Sequence, residues 1–220
     1  MTSTKEIVTV IKTIEATCKQ FQTPSVTAIS EEKRNPFHVL ISCILSLRTK
    51  DNVTVKASAR LFALAETPEA LLSLSLKQIE QAIYPVGFYK TKAKNIKDIC
   101  ATLLEKYDGN VPKDIDKLME LRGVGRKTAT ICMVYGHQSL DYIPADVHVH
   151  VIANRLGWVN TTTPEDTEQG LMRVVPKQYW RLLNDLFVKF GQNICITVSP
   201  WCSKCPVGAH CKRVGVTRSR

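Results

Sequence analysis

The chain has 220 residues, 44% of them apolar, enough to bury a sizeable core in one large domain or two small lobes. No stretch approaches the ~20 consecutive apolar residues of a membrane-spanning helix, and the start, Met1-Thr2-Ser3-Thr4-Lys5-Glu6, lacks the basic and apolar segments of a secretory signal. A formal net charge of +10 favours a polyanionic partner, because each neutralised phosphate releases condensed counterions.

The apolar spacing is helical almost throughout, and no period-two run lies between turn signals, so the sequence predicts an all-α protein of many short helices. Ser75 with Gln78 three residues later forms a capping box ahead of Ile79 and Ile83. Ile96, Ile99, Leu103 and Tyr107 share one face of a helix that Gly109 stops. Two further helical patterns, around Ile115-Leu118-Met119 and Ile131-Cys132-Val134, flank the run Leu121-Arg122-Gly123-Val124-Gly125-Arg126-Lys127-Thr128-Ala129. Gly123 and Gly125 permit a tight turn and a close backbone approach to a ligand. The second helix then opens with unclaimed N–H groups and a partial positive charge, a site for phosphate, with Arg126 beside it. A Gly-x-Gly turn alone is a weak signal, usually an ordinary helix–helix connection.

Lys127 falls in the first turn of that second helix. Alone it reads as a phosphate-binding surface lysine. The helix dipole and a partly dry pocket both favour the neutral amine, which can attack a sugar C1′ and form a Schiff base. Asp146 opens the next pattern, with Val151, Ile152 and Leu156, as an N-cap. A capping carboxylate is held rigidly, so it can also take up the proton of Lys127 or stabilise positive charge developing on the sugar. His148 reads as a structural histidine, and His38, His137, His150 and His210 belong to no constellation. Thr163-Pro164 with Asp166 starts another helix, and the period from Tyr179 to Phe190 ends at Gly191.

Cys195, Cys202, Cys205 and Cys211 follow the spacing C-x6-C-x2-C-x5-C. In a reducing compartment such a group converges on metal rather than pairing in disulfides. Zinc and iron–sulfur clusters both take four thiolates, but the spacing departs from the common zinc arrangement of two C-x2-C pairs. Lys204, Lys212 and Arg213 beside these ligands present cations to phosphates. Cys18, Cys43, Cys100 and Cys132 stand singly among apolar residues as core thiols. The basic tail from Lys212 to Arg220 is expected to fray or to lie on a ligand.

Together, the hairpin with Lys127, the aspartate with a histidine two residues on, and the terminal cysteine loop resemble the endonuclease III family. The similarity runs from about Pro36 to Cys211, with Ser46-Leu47-Arg48-Thr49-Lys50-Asp51 and the segment from Val86 to Lys94 as further matches. It implies a two-lobed helix–hairpin–helix glycosylase fold, with a six-helix barrel over 29–139 and an iron–sulfur lobe of 1–28 and 140–220. It implies a 4Fe–4S cluster on the four cysteines, mainly structural and DNA-contacting, and Lys127 and Asp146 as the catalytic pair. The substrate it implies is double-stranded DNA holding a damaged pyrimidine, such as thymine glycol, or an abasic site. Chemistry on a stacked base requires flipping it out. The lysine would then form an imine and nick the strand by β-elimination.

Adenine-mismatch relatives typically have serine at the position of Lys127, and thymine-mismatch relatives often tyrosine, so Lys127 favours a bifunctional lyase. Arg48 stands where the family usually has a gap-filling glutamine, and Phe88 where a leucine wedge is common. Arg122 replaces the proline of Leu-Pro-Gly, and the loop before Asp146 is one residue longer than in the bacterial prototype. A specialist for mismatches, other lesions or abasic sites is the rival within the enzyme class. A non-catalytic DNA-binding iron–sulfur protein is the rival outside it. With no oligomer signal and no nuclear or mitochondrial targeting signal, a monomer in a prokaryotic cytoplasm is expected.

Overall fold

Local caps set most of the helix starts. The computed structural model describes residues 2–33 and 35–220. Among the described residues are twelve α-helices and no strand: α1 (Thr4–Cys18), α2 (Ser25–Lys33), α3 (Pro36–Ser46), α4 (Asp51–Leu64), α5 (Pro68–Ser73), α6 (Leu76–Ile83), α7 (Tyr89–Tyr107), α8 (Ile115–Met119), α9 (Arg126–Ile131), α10 (Val147–Leu156), α11 (Pro164–Val174) and α12 (Trp180–Asn193). Ser3, Asn35, Thr67, Ser75, Asp114, Asp146 and Thr163 each accept a backbone N–H of the helix they precede. Both halves of the Ser75–Gln78 capping box are present. The stop after α7 uses two left-handed residues, Asp108 at φ 50° and Gly109 at φ 75°.

The chain divides into two compact units, residues 25–138 and residues 1–24 with 139–220. In the unit of residues 25–138, α3 is buried on every side from Phe37 to Leu45, the behaviour of a helix apolar all round. It packs against α2, α4, α7 and α9. The face of α7 bearing Ile96, Ile99 and Leu103 is fully buried. α9 runs on into a π-helical turn, Cys132–Gly136, which packs on α3.

In the other unit, α10 packs against α11 and α12, and α1 against α12. Ile7, Val10, Ile11 and Ile14 meet Val149, Ile152, Leu183, Phe187 and Phe190 in one core, which also takes Val207 of the cysteine loop. Each large apolar side chain buried this way contributes about 1.5–3 kcal/mol.

Two expectations are corrected here. Gly191 does not end a helix: α12 continues through it to Asn193. A Cβ at Gly191 would lie 2.3 Å from His148 Nδ1, so the glycine makes room for an imidazole. Nor does the basic tail fray. Arg220 N–H donates to Pro200 O at 2.8 Å, Ser203 N–H donates to Arg220 O at 3.0 Å, and the Arg220 guanidinium lies 4.8 Å from the centre of the Trp201 ring. Hydrogen bonds and a cation–π contact dock the tail on the cysteine loop.

Candidate nucleic-acid interface and cysteine pocket

The unit of residues 25–138 carries the hairpin. α8 ends at Met119, and the chain turns through Gly123 at φ 79°, a left-handed conformation that suits glycine. A Cβ at Gly123 would stand 2.8 Å from Asn95 Nδ2, so the turn lies close against α7. Gly125 is the N-cap of α9 and supplies no side-chain cap; a Cβ there would meet nothing within 4 Å. Arg126 is half-buried and Lys127 exposed in the first turn of α9. The Lys127 charge reaches inward as far as the buried Cys43 thiol, whose pKa burial drives far up. Arg122 is exposed and sits 3.3 Å from Asp98 Oδ2.

Arg48 and Phe88 meet on the surface of the same unit. Both are exposed, both have left-handed backbones at φ 52° and 58°, and the guanidinium lies 5.7 Å from the ring centre. Only a few per cent of non-glycine residues have positive φ, and here two of them touch. Beneath them Lys92, only 6% exposed, donates from Nζ to Leu45 O at 2.8 Å, to Leu47 O and to Thr49 Oγ1 at 3.2 Å. Burial lowers its pKa to about 8.

The other unit carries Asp146 and the cysteines. Asp146 is 7% exposed, and its Oδ1 accepts from His148 N–H at 2.9 Å and Val149 N–H at 3.0 Å, so the N-cap is real and the carboxylate is fixed. Cys195, Cys202, Cys205 and Cys211 line one pocket with Arg155, Ile194, Pro200 and Trp201. Among the described residues, no three thiols, imidazoles or carboxylates close to the spacing of a single metal ion. Burial raises the pKa of Cys195, Cys205 and Cys211, and Arg155 pulls Cys195 and Cys211 back. Arg155 Nη1 stands 3.4 Å from Cys195 Sγ and donates to Ile196 O at 3.0 Å; Nη2 donates to Thr197 O. The Cys211 thiol in turn donates to the Arg155 carbonyl at 3.3 Å. Lys204 stacks over Trp201 with Nζ 5.3 Å from its centre, and the stem of Lys212 lies across Gly157, where a Cβ would be 2.4 Å from Cδ. Cys18, Cys43, Cys100 and Cys132 are buried away from the pocket lining.

Residues 41–177 match the HhH-GPD superfamily of base excision DNA repair proteins. Endonuclease III of Thermotoga maritima is 42% identical over 183 residues, covering 83% of this chain and 85% of that protein. The chain belongs to the endonuclease III family. A mouse endonuclease III-like protein 1 is 40% identical over 84% of this chain, which spans 62% of the mouse protein. A trapped endonuclease III–DNA covalent intermediate superposes with a TM-score of 0.84 at 33% identity, covering 97% of each chain. The all-α helix–hairpin–helix fold is therefore that of endonuclease III. Membership makes the chain an enzyme of base excision DNA repair, a DNA N-glycosylase and abasic-site lyase.

Two residues of this family member escaped the sequence reading. Lys92 is in register with the buried stripe Ile96, Ile99 and Leu103, and a lysine on an apolar face is a visible signal. Arg155 follows Ile152 by three residues on the inner face of α10 in the same way.

Proposed function

We propose that the substrate is duplex DNA carrying an oxidised pyrimidine and that the lyase step runs through a Schiff base on Lys127. The observation that carries this reading is an exposed amine in the first turn of α9, directly after an N-cap that supplies no side chain, in a chain 33% identical to a protein trapped in a covalent DNA intermediate. The amine nitrogen bonds to C1′, the glycosidic bond breaks, and the base leaves. The C1′–O4′ bond then breaks as the amine proton passes to O4′, which opens the sugar to the imine; the imine acidifies the neighbouring C2′ proton, and its loss expels the 3′ phosphate. Asp146, rigid at the cap of α10, is the carboxylate assigned to the proton of the attacking amine and to positive charge on the sugar. Gly123, Gly125 and Arg126 are assigned to the phosphate backbone, as are Lys204 and Lys212 beside the cysteines. Arg48 and Phe88 are assigned to the space vacated by the flipped base.

We further assign a 4Fe–4S cluster to Cys195, Cys202, Cys205 and Cys211. The donor chemistry fits: four thiols line one pocket, apolar core packs behind three of them, and a buried guanidinium offsets thiolate charge. Bound there, the cluster supplies four iron–thiolate bonds that hold the loop and its lysines in place.

The test is reductive trapping. Borohydride added during incubation with thymine-glycol duplex and with abasic duplex is expected to yield a covalent protein–DNA complex, and Lys127→Ala is expected to abolish it with an unchanged unfolding midpoint. No trapping by the wild-type protein on either substrate would hand the reading to a non-catalytic DNA-binding role. The departures at Arg48 and Phe88 favour comparing thymine glycol with uracil mispairs in the same assay.

A further inference from the structure

The exposed pair Arg48 and Phe88 stands on two separate segments, the loop after α3 and the turn before α7, each closed by short-range backbone bonds such as Thr49 N–H to Ser46 O and Tyr89 N–H to Val86 O, both at 3.1 Å. Positive φ at both residues means that the surrounding structure imposes the conformation. Its source lies directly below. Lys92 Nζ offers three donors, and the structure gives it three acceptors, all in the segment from Leu45 to Thr49. Thr49 Oγ1 accepts from Lys92 and also from Gly87 N–H at 3.2 Å, which joins the loop to the turn. The two backbones touch at that point: a Cβ on Gly87 would lie 2.6 Å from Arg48 O. Lys92 itself sits one turn into α7, and its own N–H donates to Phe88 O at 3.0 Å, Phe88 being the N-cap of that helix. One residue therefore connects the cap of α7, through its backbone N–H, to the loop that carries Arg48, through its side chain.

We propose that Lys92 is a positioning residue for duplex engagement, setting Arg48 and Phe88 as a single rigid element through its bonds to Leu45, Leu47 and Thr49. The reason is geometric. An arginine and an aromatic ring that enter a base stack must arrive together and already ordered, because ordering two flexible segments on binding would cost affinity. Three charge-assisted hydrogen bonds from a buried ammonium order them beforehand. The proposal rests on the assignment of Arg48 and Phe88 to the flipped-base gap.

The experiment uses the full chain and a duplex with thymine glycol beside 2-aminopurine, whose fluorescence rises when it is unstacked. Lys92→Met keeps the aliphatic stem and removes the donors; Thr49→Val, nearer the surface, removes the shared acceptor with little change of shape. Both variants are expected to lose most of the fluorescence rise at saturating protein. Both are also expected to lower the ratio of duplex lesion excision to β-elimination on a single-stranded abasic oligonucleotide by about tenfold. Phe88→Ala sets the scale. Suppose Phe88→Ala abolishes the rise while Lys92→Met and Thr49→Val, folded by circular dichroism, match the wild type; Lys92 then has no positioning role. Should the wild type and Phe88→Ala give the same signal, the gap-filling assignment fails and takes the proposal with it. If Lys92→Met does not fold, Thr49→Val decides alone.

Discussion

The Arg155 guanidinium lies 3.4 Å from Cys195 Sγ and grips the carbonyls of Cys195, Ile196 and Thr197, while Cys211 bonds back to the Arg155 carbonyl. A single cation in the last turn of α10 thus meets both ends of the cysteine loop. It is 8% exposed, so its own donors depend on these acceptors.

Arg155→Met is expected to remove the arginine's bonds to three partly exposed carbonyls and to destabilise the protein by about 1–3 kcal/mol, the range for hydrogen bonds from a charged group. Urea unfolding measures this, and iron content per chain should fall with it. A variant with wild-type stability and full iron would show that the loop holds itself.

Asp146 separates capping from chemistry. Asparagine caps about as well as aspartate, so Asp146→Asn is expected to keep stability within about 0.5 kcal/mol while losing most base excision; Asp146→Ala should lose activity and a further ~1 kcal/mol of stability. Thermal unfolding and excision on one substrate, run in parallel, check both. Full activity in Asp146→Asn would reduce the residue to its cap.

Gly191→Ala places a methyl group 2.3 Å from His148 Nδ1, inside a ring that cannot shorten. The imidazole or α12 must shift, at an expected cost of about 1–3 kcal/mol. The double variant Gly191→Ala with His148→Ala should recover part of this loss; additive losses would place the strain elsewhere.

Lys92 carries a pH signature. Burial lowers its pKa from the ordinary 10.5 to about 8, so the folded chain releases this proton earlier than the unfolded chain does. Below pH 8 both states hold the proton, and the cost of the buried charge is fully present. Between about 8 and 10.5 the unfolded state binds more protons, so stability contributed by this residue rises with pH. The stability of the wild type relative to Lys92→Met is expected to increase between about pH 8 and 10.5, the span of the shift. A constant or shrinking difference would mean that the three acceptors hold the ammonium charged across this range.

Features written within a few residues were legible before any coordinates. Ser75 with Gln78, Thr163 with Asp166, and Asp146 ahead of α10 are caps that act over three residues, and each forms as read. Gly123 and the cysteine spacing are equally local. The helical period told which face is buried, and Ile96, Ile99 and Leu103 lie where it says. Gly191 shows the limit: glycine after an apolar run ordinarily signals a stop, yet here the deciding atom belongs to His148 in another helix.

By itself, the amino-acid order determined the helical class, the hairpin, the thiol group and the family, because each depends on spacing along a chain whose local geometry is stiff. Only tertiary structure decided which polar side chains are interior clamps. Arg155 reaches carbonyls 40 to 42 residues away and Lys92 reaches acceptors 43 to 47 residues away. A lone cation on an apolar face announces that a partner must exist, since burying it unpaired is costly. Which carbonyls answer is set by how the helices pack, and no period in the sequence encodes that.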